Sequence, residues 1–534
     1  MKPRSMEILS SYEGVVEDIS KRGIPVTHFT AVDDKTTLVS VNLSAGFHSK
    51  FDYGSLQEQW YVEECLTKFL TKKNVSVLRS TTLTNLVDCK THVQIEISRG
   101  DVHSKNFWNE TIVAKYVIAA DGAKSRIRKL LNLQFPGEML QNGYVAVHFK
   151  EKEDSLRTFS RNGMVLLFLK EGSAFITALP ENSWIAAWDL TLEQEKPFLS
   201  SENDARGNPI QLKLRFDQYE NQRAFGGECS LSFTDSWTRN EYRCIASKSV
   251  LLIILGIQDS MNIIWKLSQV ILNKCSREIL NSYEAERKHV GKAVVDLTTR
   301  VQNISAVRNP LLQNFRNFAF SFVTKNDFII DTIGQTVGET IYSYKGLAEV
   351  SVEYFGKPPI FPYLLRRRAQ NINRILSTRV RAGDRFRPDI VLGLSETFFS
   401  ATAGFKILIF VGLKKYSFKP LSENECTEFC KEALEFSDGL VTDFFVVQSE
   451  RELDHHRLGV LGQCLFLVRP DGYVGFRCEP LKKELLKGYL KKRIFSKRIE
   501  TSSNFSFNNF DWLHAVFLSV LFCGIGIYIK RKFF

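Results

Sequence analysis

Apolar and polar positions along the chain switch period several times, and each switch predicts an element. Over residues 1 to 24 the spacing of Met6, Leu9 and Val15 or Val16 puts one apolar face on a helix. Alternation at Thr37–Leu43, Val75–Arg79, His92–Ile97 and Lys115–Ala120 predicts strands, interrupted by a helix over Gln57–Leu70. From Gly143 to about Leu190 four alternating runs predict an antiparallel sheet. Helical spacing dominates from Gly256 to Val301 and continues less regularly to about Phe355. An Arg-rich loop at Ser377–Pro388 reads as a boundary, after which "FKILIFVG" and "CLFLVRPDGYVGFR" predict strands of a compact α/β unit.

The stretch "YVIAADGAKSRIRKLL", Tyr116 to Leu131, reads as a strand, a tight turn at Asp121-Gly122 and a helix opening near Ser125. Such a turn exposes amide N–H groups and the positive end of a helix dipole, which suits phosphate or ribose. Taken alone it is a common structural turn.

Composition narrows the class. Hydrophobic residues are 44% and charged residues 24% of 534, so the body is globular. The 41 Phe suit apolar cavities or a membrane neighbour. A net charge of +12 is spread along the chain without a nucleic-acid motif, so a nucleic-acid partner is excluded and some attraction to anionic lipid remains. Ten Cys carry no CxxC pair and no His spacing that completes a zinc site, so they read as reduced thiols and no metal is expected.

The end of the chain adds a membrane. "WLHAVFLSVLFCGIGIYI", Trp512–Ile529, is 18 residues without a formal charge. As a helix it is about 27 Å long, enough for a bilayer core. Eight Lys/Arg between Lys482 and Arg498 outnumber the three that follow the run, which predicts a single-pass C-terminal anchor with the body facing the cytosol.

Several motifs then fall in one order: "RSMEILS" at Arg4–Ser10, Gln59 ahead of Glu63 and Leu66, "AADGAKSRIR" at Ala119–Arg128, and "LGIQDSMNIIWKL" followed by "LNSYEAERKHV". Together they resemble the FAD-dependent aromatic-ring monooxygenases of the phenol-hydroxylase type. "RAGDRFRPDIVL", "FKILIFVG" and "LVRPDGYVGFR" resemble the thioredoxin-like domain that closes those enzymes.

The resemblance implies an α/β fold: an incomplete Rossmann-type FAD-binding region over 1–355, interleaved with a β-rich substrate part at about 143–235. A linker at 356–376, a thioredoxin-like domain at 377–495, a second linker at 496–511 and the span at 512–529 follow. It implies FAD, NAD(P)H as reductant, O2, and a small aromatic or apolar substrate oxygenated through a flavin C4a-hydroperoxide, and it allows a homodimer. Asp121, Gly122, Ser125 and Arg128 match the family's DG fingerprint, Arg4 the Arg that leads a helix beside the dinucleotide, and Gln59 a Gln near the ribitol and phosphates. Gly256 and Asp259 match the helix after the flavin-contacting loop, with Asn262, Trp265 and Lys266 further along it. Trp265 and Leu267 read as core, and Glu284 with Arg287 as a pair that holds the fold. No residue stands out as catalytic.

The chain departs from the family in two places. No GxGxxG loop precedes Arg4, and where a GD…P…GxGxN fingerprint is expected the sequence reads "YRCIASKSVLLIILGIQD", with branched apolar residues from Ser249 to Leu255. Two readings follow. One is a membrane-tethered monooxygenase whose coding sequence is incomplete or mis-joined; the other is a non-catalytic, membrane-bound scaffold or interaction protein.

Overall fold

In the computed structural model the described residues are 1–33, 36–101, 106–122, 124–134, 143–150, 160–169, 172–190, 211–214, 229–232, 243–246, 256–323, 326–347, 351–355, 375–391, 394, 398, 404–414 and 419–495. The linker after 356 falls outside them up to residue 374, as do the second linker and the run Trp512–Ile529. Among the described residues no helix is long and apolar enough to cross a membrane.

The N-terminal helix is two. α1 (Pro3–Leu9) and α2 (Val15–Ser20) are separated by a turn, because Gly14 takes a left-handed φ of +78° at the start of α2. Both still bury the expected face, and Met6, Leu9, Val15 and Val16 meet Val62, Leu66 and Leu70 of α3 (Gln59–Lys72). Val75–Arg79 and Lys115–Ala120 are not strands. They join no ladder among the described residues, although Val75, Val77 and Ile118 pack against the same core. Alternation gives an extended chain, but a strand also needs a neighbour to exchange hydrogen bonds. Val93–Asp101 does find neighbours, between Thr81–Asp88 and Asn106–Ala114. A short helix α4 (Arg126–Leu130) follows Ser125.

The sheet expected from Gly143 to Leu190 is present and wider than its sequence run. Its order is Arg243–Ala246, Gly143–Lys150, Ser183–Leu190, Gly172–Leu179, Gly163–Leu169, His28–Val32 and Thr37–Asn42. All neighbours are antiparallel except His28–Val32 against Gly163–Leu169, so an early hairpin extends the later meander.

Helices α5 (Gly256–Ile271), α6 (Ser282–Ser305), α7 (Pro310–Val323) and α8 (Asp327–Gly338) come next. α8 presses on the Ala45–Phe47 turn so closely that a Cβ on Gly334 would lie 2.7 Å from the Gly46 Cα. The C-terminal unit is a five-stranded mixed sheet ordered Val352–Phe355, Val474–Glu479, Cys464–Val468, Phe405–Phe410 and Val441–Val447. It is accompanied by α9 (Glu423–Ser437), α10 (Glu452–Arg457) and α11 (Lys483–Tyr489).

α5 joins the halves. Its Ile257 and Ile264 enter the core of α1 to α3, while Trp265 and Val270 enter the core of the C-terminal sheet. The expected core roles of Trp265 and Leu267 hold, at 2% and 6% exposure.

Candidate functional site

A helix buried on two sides has no solvated face for polar side chains, yet α5 carries Gln258, Asn262 and Lys266 four residues apart on one face. Each finds a buried partner, as burial demands. Gln258 Nε2 donates to Glu339 Oε2 at 2.7 Å, and Asn262 Nδ2 to Glu286 Oε2 at 2.6 Å. Lys266 Nζ donates to Glu286 Oε2 at 3.1 Å and to Asn262 Oδ1 at 2.8 Å.

The C-terminal sheet sends a turn into this stripe. Arg469 grips Glu286 through two bonds of 2.7 and 2.8 Å and reaches Asp471 Oδ2 at 2.5 Å. Asp471 in turn accepts from Trp265 Nε1 at 3.1 Å. Gly472, in the same turn, has a φ of +79°.

Arg4 belongs to this network. Its Nη1 donates to Glu7 Oε2 at 2.8 Å and its Nη2 to the Asp471 carbonyl at 2.5 Å, with the guanidinium over the Tyr473 ring. Glu7 also accepts from Arg385 Nη1 at 2.6 Å, and Arg385 reaches the His48 carbonyl. Through Arg385 the Arg-rich loop makes contact between the two halves.

Asp259 lies one turn into α5 and accepts from Arg287 Nε at 2.5 Å, while Arg287 Nη1 donates to Tyr344 Oη at 3.0 Å. This corrects the expected Glu284–Arg287 pair. Glu284 is exposed and pairs with Lys288, because residues four apart on α6 share the outer face. Glu286, two positions on, is the buried member.

The remaining predicted residues sit apart from the network. Gln59 Nε2 donates to Glu63 Oε1 at 2.9 Å within its own helix. Asp121 accepts from Ser125 Oγ and the Arg126 amide, both at 2.6 Å, and from the Ile127 amide at 3.0 Å. Ser125 Oγ accepts from the Arg128 amide at 2.9 Å. The positive end of α4 thus already holds a carboxylate from its own chain.

Burial sets the electrostatics. It drives the Lys266 ammonium down to about 8, although Glu286 pulls the other way. Burial would lift Glu286 too, but Arg469 and Lys266 overcome it and hold the carboxyl at about 2. At Glu339 burial wins over Lys2 and Gln258, and the carboxyl titrates above its usual range.

A flavin dinucleotide needs open backbone for close approach and donors for its phosphates. Among the described residues the backbone is open at two expected positions: a Cβ on Gly122, at φ +75°, or on Gly256 would meet none of them within 4 Å. The charged positions do not fit, since Asp121 takes the first amides of α4 and Arg4 is committed to Glu7 and Asp471. Residues 247–255, where the second fingerprint is expected, lie outside the described residues. Sequence reasoning missed Glu7, Glu286, Arg385, Arg469 and Asp471. The four-residue spacing of Gln258, Asn262 and Lys266 on one face of α5 is the signal that points to them.

Residues 1–207 and 254–298 match the FAD binding domain family. In sequence the chain is similar to FAD-dependent aromatic-ring monooxygenases, and it shares their fold. It is 22% identical over 323 residues to the 6-methylpretetramide 4-monooxygenase of Streptomyces rimosus, covering 58% of this chain and 55% of that protein. It is 27% identical over 211 residues to the 2,4-dichlorophenol 6-monooxygenase of Cupriavidus pinatubonensis, covering 35% and 33%. The chain thus spans about half or less of the length of these relatives. Among solved structures, the anhydrotetracycline hydroxylase OxyS from Streptomyces rimosus superimposes with a TM-score of 0.58 at 17% identity, over 93% of this chain and 91% of that one.

Proposed function

We propose that this chain is an FAD-dependent monooxygenase that uses NAD(P)H and O2 to place one oxygen atom on an aromatic or similar apolar ring. The flavin supplies the oxygen-transfer chemistry when bound. The protein's part is to orient the ring and exclude water under the sheet that runs from Gly143 to Leu190. The observation that carries this reading is the family match itself, whose two segments contain α1, α3, the Asp121-Gly122 turn, α5 and most of α6. In this reading Gly122 and Gly256 offer backbone to the cofactor, while Arg4, Gln59, Asp121, Ser125, Arg128 and Asp259 hold the surrounding elements in place. FAD titrated into the full chain in detergent should give a yellow, fluorescence-quenched complex that oxidises NAD(P)H faster when a phenolic ring is added. A colourless chain that takes up no FAD overturns the proposal.

One observation favours the second reading, a non-catalytic scaffold: the charged residues expected at the cofactor already hold protein partners. Failure of FAD uptake by a chain that is otherwise folded is the result that this reading expects.

We also propose that Trp512–Ile529 anchors the protein in a membrane with its body in the cytosol. Its length, its lack of formal charge and the basic excess before it support this. Resistance to alkaline carbonate extraction is expected, and release by carbonate argues against it.

A further inference from the structure

Helix α7 is amphipathic the wrong way round for a helix in water. Three of its polar residues, Gln313, Arg316 and Asn317, face the protein, while Asn314 is exposed. Gln313 Nε2 donates to the Val307 carbonyl at 2.9 Å, and Asn317 Nδ2 to Asp33 Oδ2 at 2.9 Å. The Arg316 guanidinium lies 3.8 Å from the centre of the Phe168 ring and is 6% exposed. Phe320 packs inward against Phe168, but four other large apolar residues face outward: Leu311 is 79% exposed, Leu312 56%, Phe315 71% and Phe318 62%. The next helix begins with Phe328 at 77%, and Ile304 at the end of α6 adds 47%.

A surface helix of a water-soluble body keeps its apolar stripe inward, and a contiguous outward stripe marks an apolar partner. The identity of that partner is narrowed by charge and by chain length. α7 contains no acidic residue, and the approach to it carries Arg300 and Arg308. Beyond Phe495 the sequence runs through residues 496–511 into the uncharged run Trp512–Ile529. Even fully extended, that connection keeps the point of membrane entry within roughly 60 Å of Phe495. A bilayer is therefore close to the body whenever the anchor is inserted.

We propose that α7, with the start of α8, lies in the membrane interface with Leu311, Leu312, Phe315, Phe318 and Phe328 among the lipid acyl chains. The choice of lipid as occupant rests on the membrane anchor proposed above, while the reversed helix stands on its own geometry. The test uses the full chain, with a benzophenone amino acid in place of Phe315, reconstituted into vesicles of phosphatidylcholine and phosphatidylserine. Illumination should add the mass of one lipid to the peptide carrying α7, and replacing Leu311 and Phe318 with Ser should remove most of that adduct. Carbonate extraction of the same vesicles reports separately on the anchor. A carbonate-resistant chain without lipid adduct overturns the interfacial helix and leaves the anchor standing. A carbonate-released chain with the adduct does the reverse. An adduct between two copies of the chain also overturns the proposal, by making this face a protein interface.

Discussion

Arg469 holds Glu286 through both arms of its guanidinium, Nη1 to Oε1 at 2.7 Å and Nη2 to Oε2 at 2.8 Å, with both side chains buried. The pair links the C-terminal sheet to α6 across 183 positions of sequence. Removing one partner leaves an uncompensated buried charge, so Arg469→Ala should cost about 3–5 kcal/mol. Urea unfolding of the full chain in detergent, followed by tryptophan fluorescence, checks this. A loss under 1 kcal/mol would show that the pair contributes little.

Glu286 also carries an acid limit. Its folded pKa of about 2 lies below the ordinary 4.5, so the stability it contributes is complete above 4.5 and is lost as pH falls towards 2. The variant Glu286→Gln should be less stable than the parent at pH 7, and the difference should shrink steadily between pH 4.5 and 2. A difference independent of pH would contradict the assignment.

Lys266 adds an alkaline window in which stability also rises with pH. Its folded pKa of about 8 lies below the usual 10.5, so unfolding takes up protons between these values and stability rises with pH there. Relative to Lys266→Met, the parent should gain stability from pH 8 to 10.5. Parallel stability curves for the two proteins would count against a desolvated ammonium.

At the turn before α4, Asp121 acts as a capping carboxylate in addition to any role beside a cofactor. Asp121→Ala should lower the stability of the flavin-free chain by about 0.5–2 kcal/mol, the usual range for a lost cap. Equal thermal unfolding of the two flavin-free proteins would show that the cap is dispensable.

The contact of α8 with the Ala45–Phe47 turn is backbone against backbone, and backbone cannot step aside. Gly334→Ala would place a methyl 2.7 Å from the Gly46 Cα and should destabilise by about 1–3 kcal/mol. A melting temperature equal to the parent's would mean that α8 shifts freely.

Elements set by local pattern were legible in the sequence. The sheet from Gly143, the helices after Gly256 and the hairpin of Cys464–Val468 with Val474–Glu479 follow the periodicity of their own residues. Elements that depend on a distant neighbour were not. Val75–Arg79 alternates like a strand and finds no ladder among the described residues, and Gly14 breaks a helix that the apolar spacing alone would continue. The site follows the same division. The motif residues Asp121, Gln59 and Asp259 were recognisable, but their partners were legible only where a hydrogen bond stays within a helical turn, as from Gln59 to Glu63. Glu286 looked no different in the sequence from its neighbour Glu284. Only the arrival of Arg469 from the other end of the chain tells them apart.

The turn at Arg469 and Asp471 reaches into a cleft between α1, α5 and α6, so the two ends of the polypeptide complete one another's ions. Made as two separate polypeptides, each half would expose an oily face and a broken ionic network, Glu286 without Arg469 and Arg385 without Glu7, and each should be poorly soluble by itself. Expressed together, they should recombine into a single particle, as two pieces of a broken casting fit along one fracture.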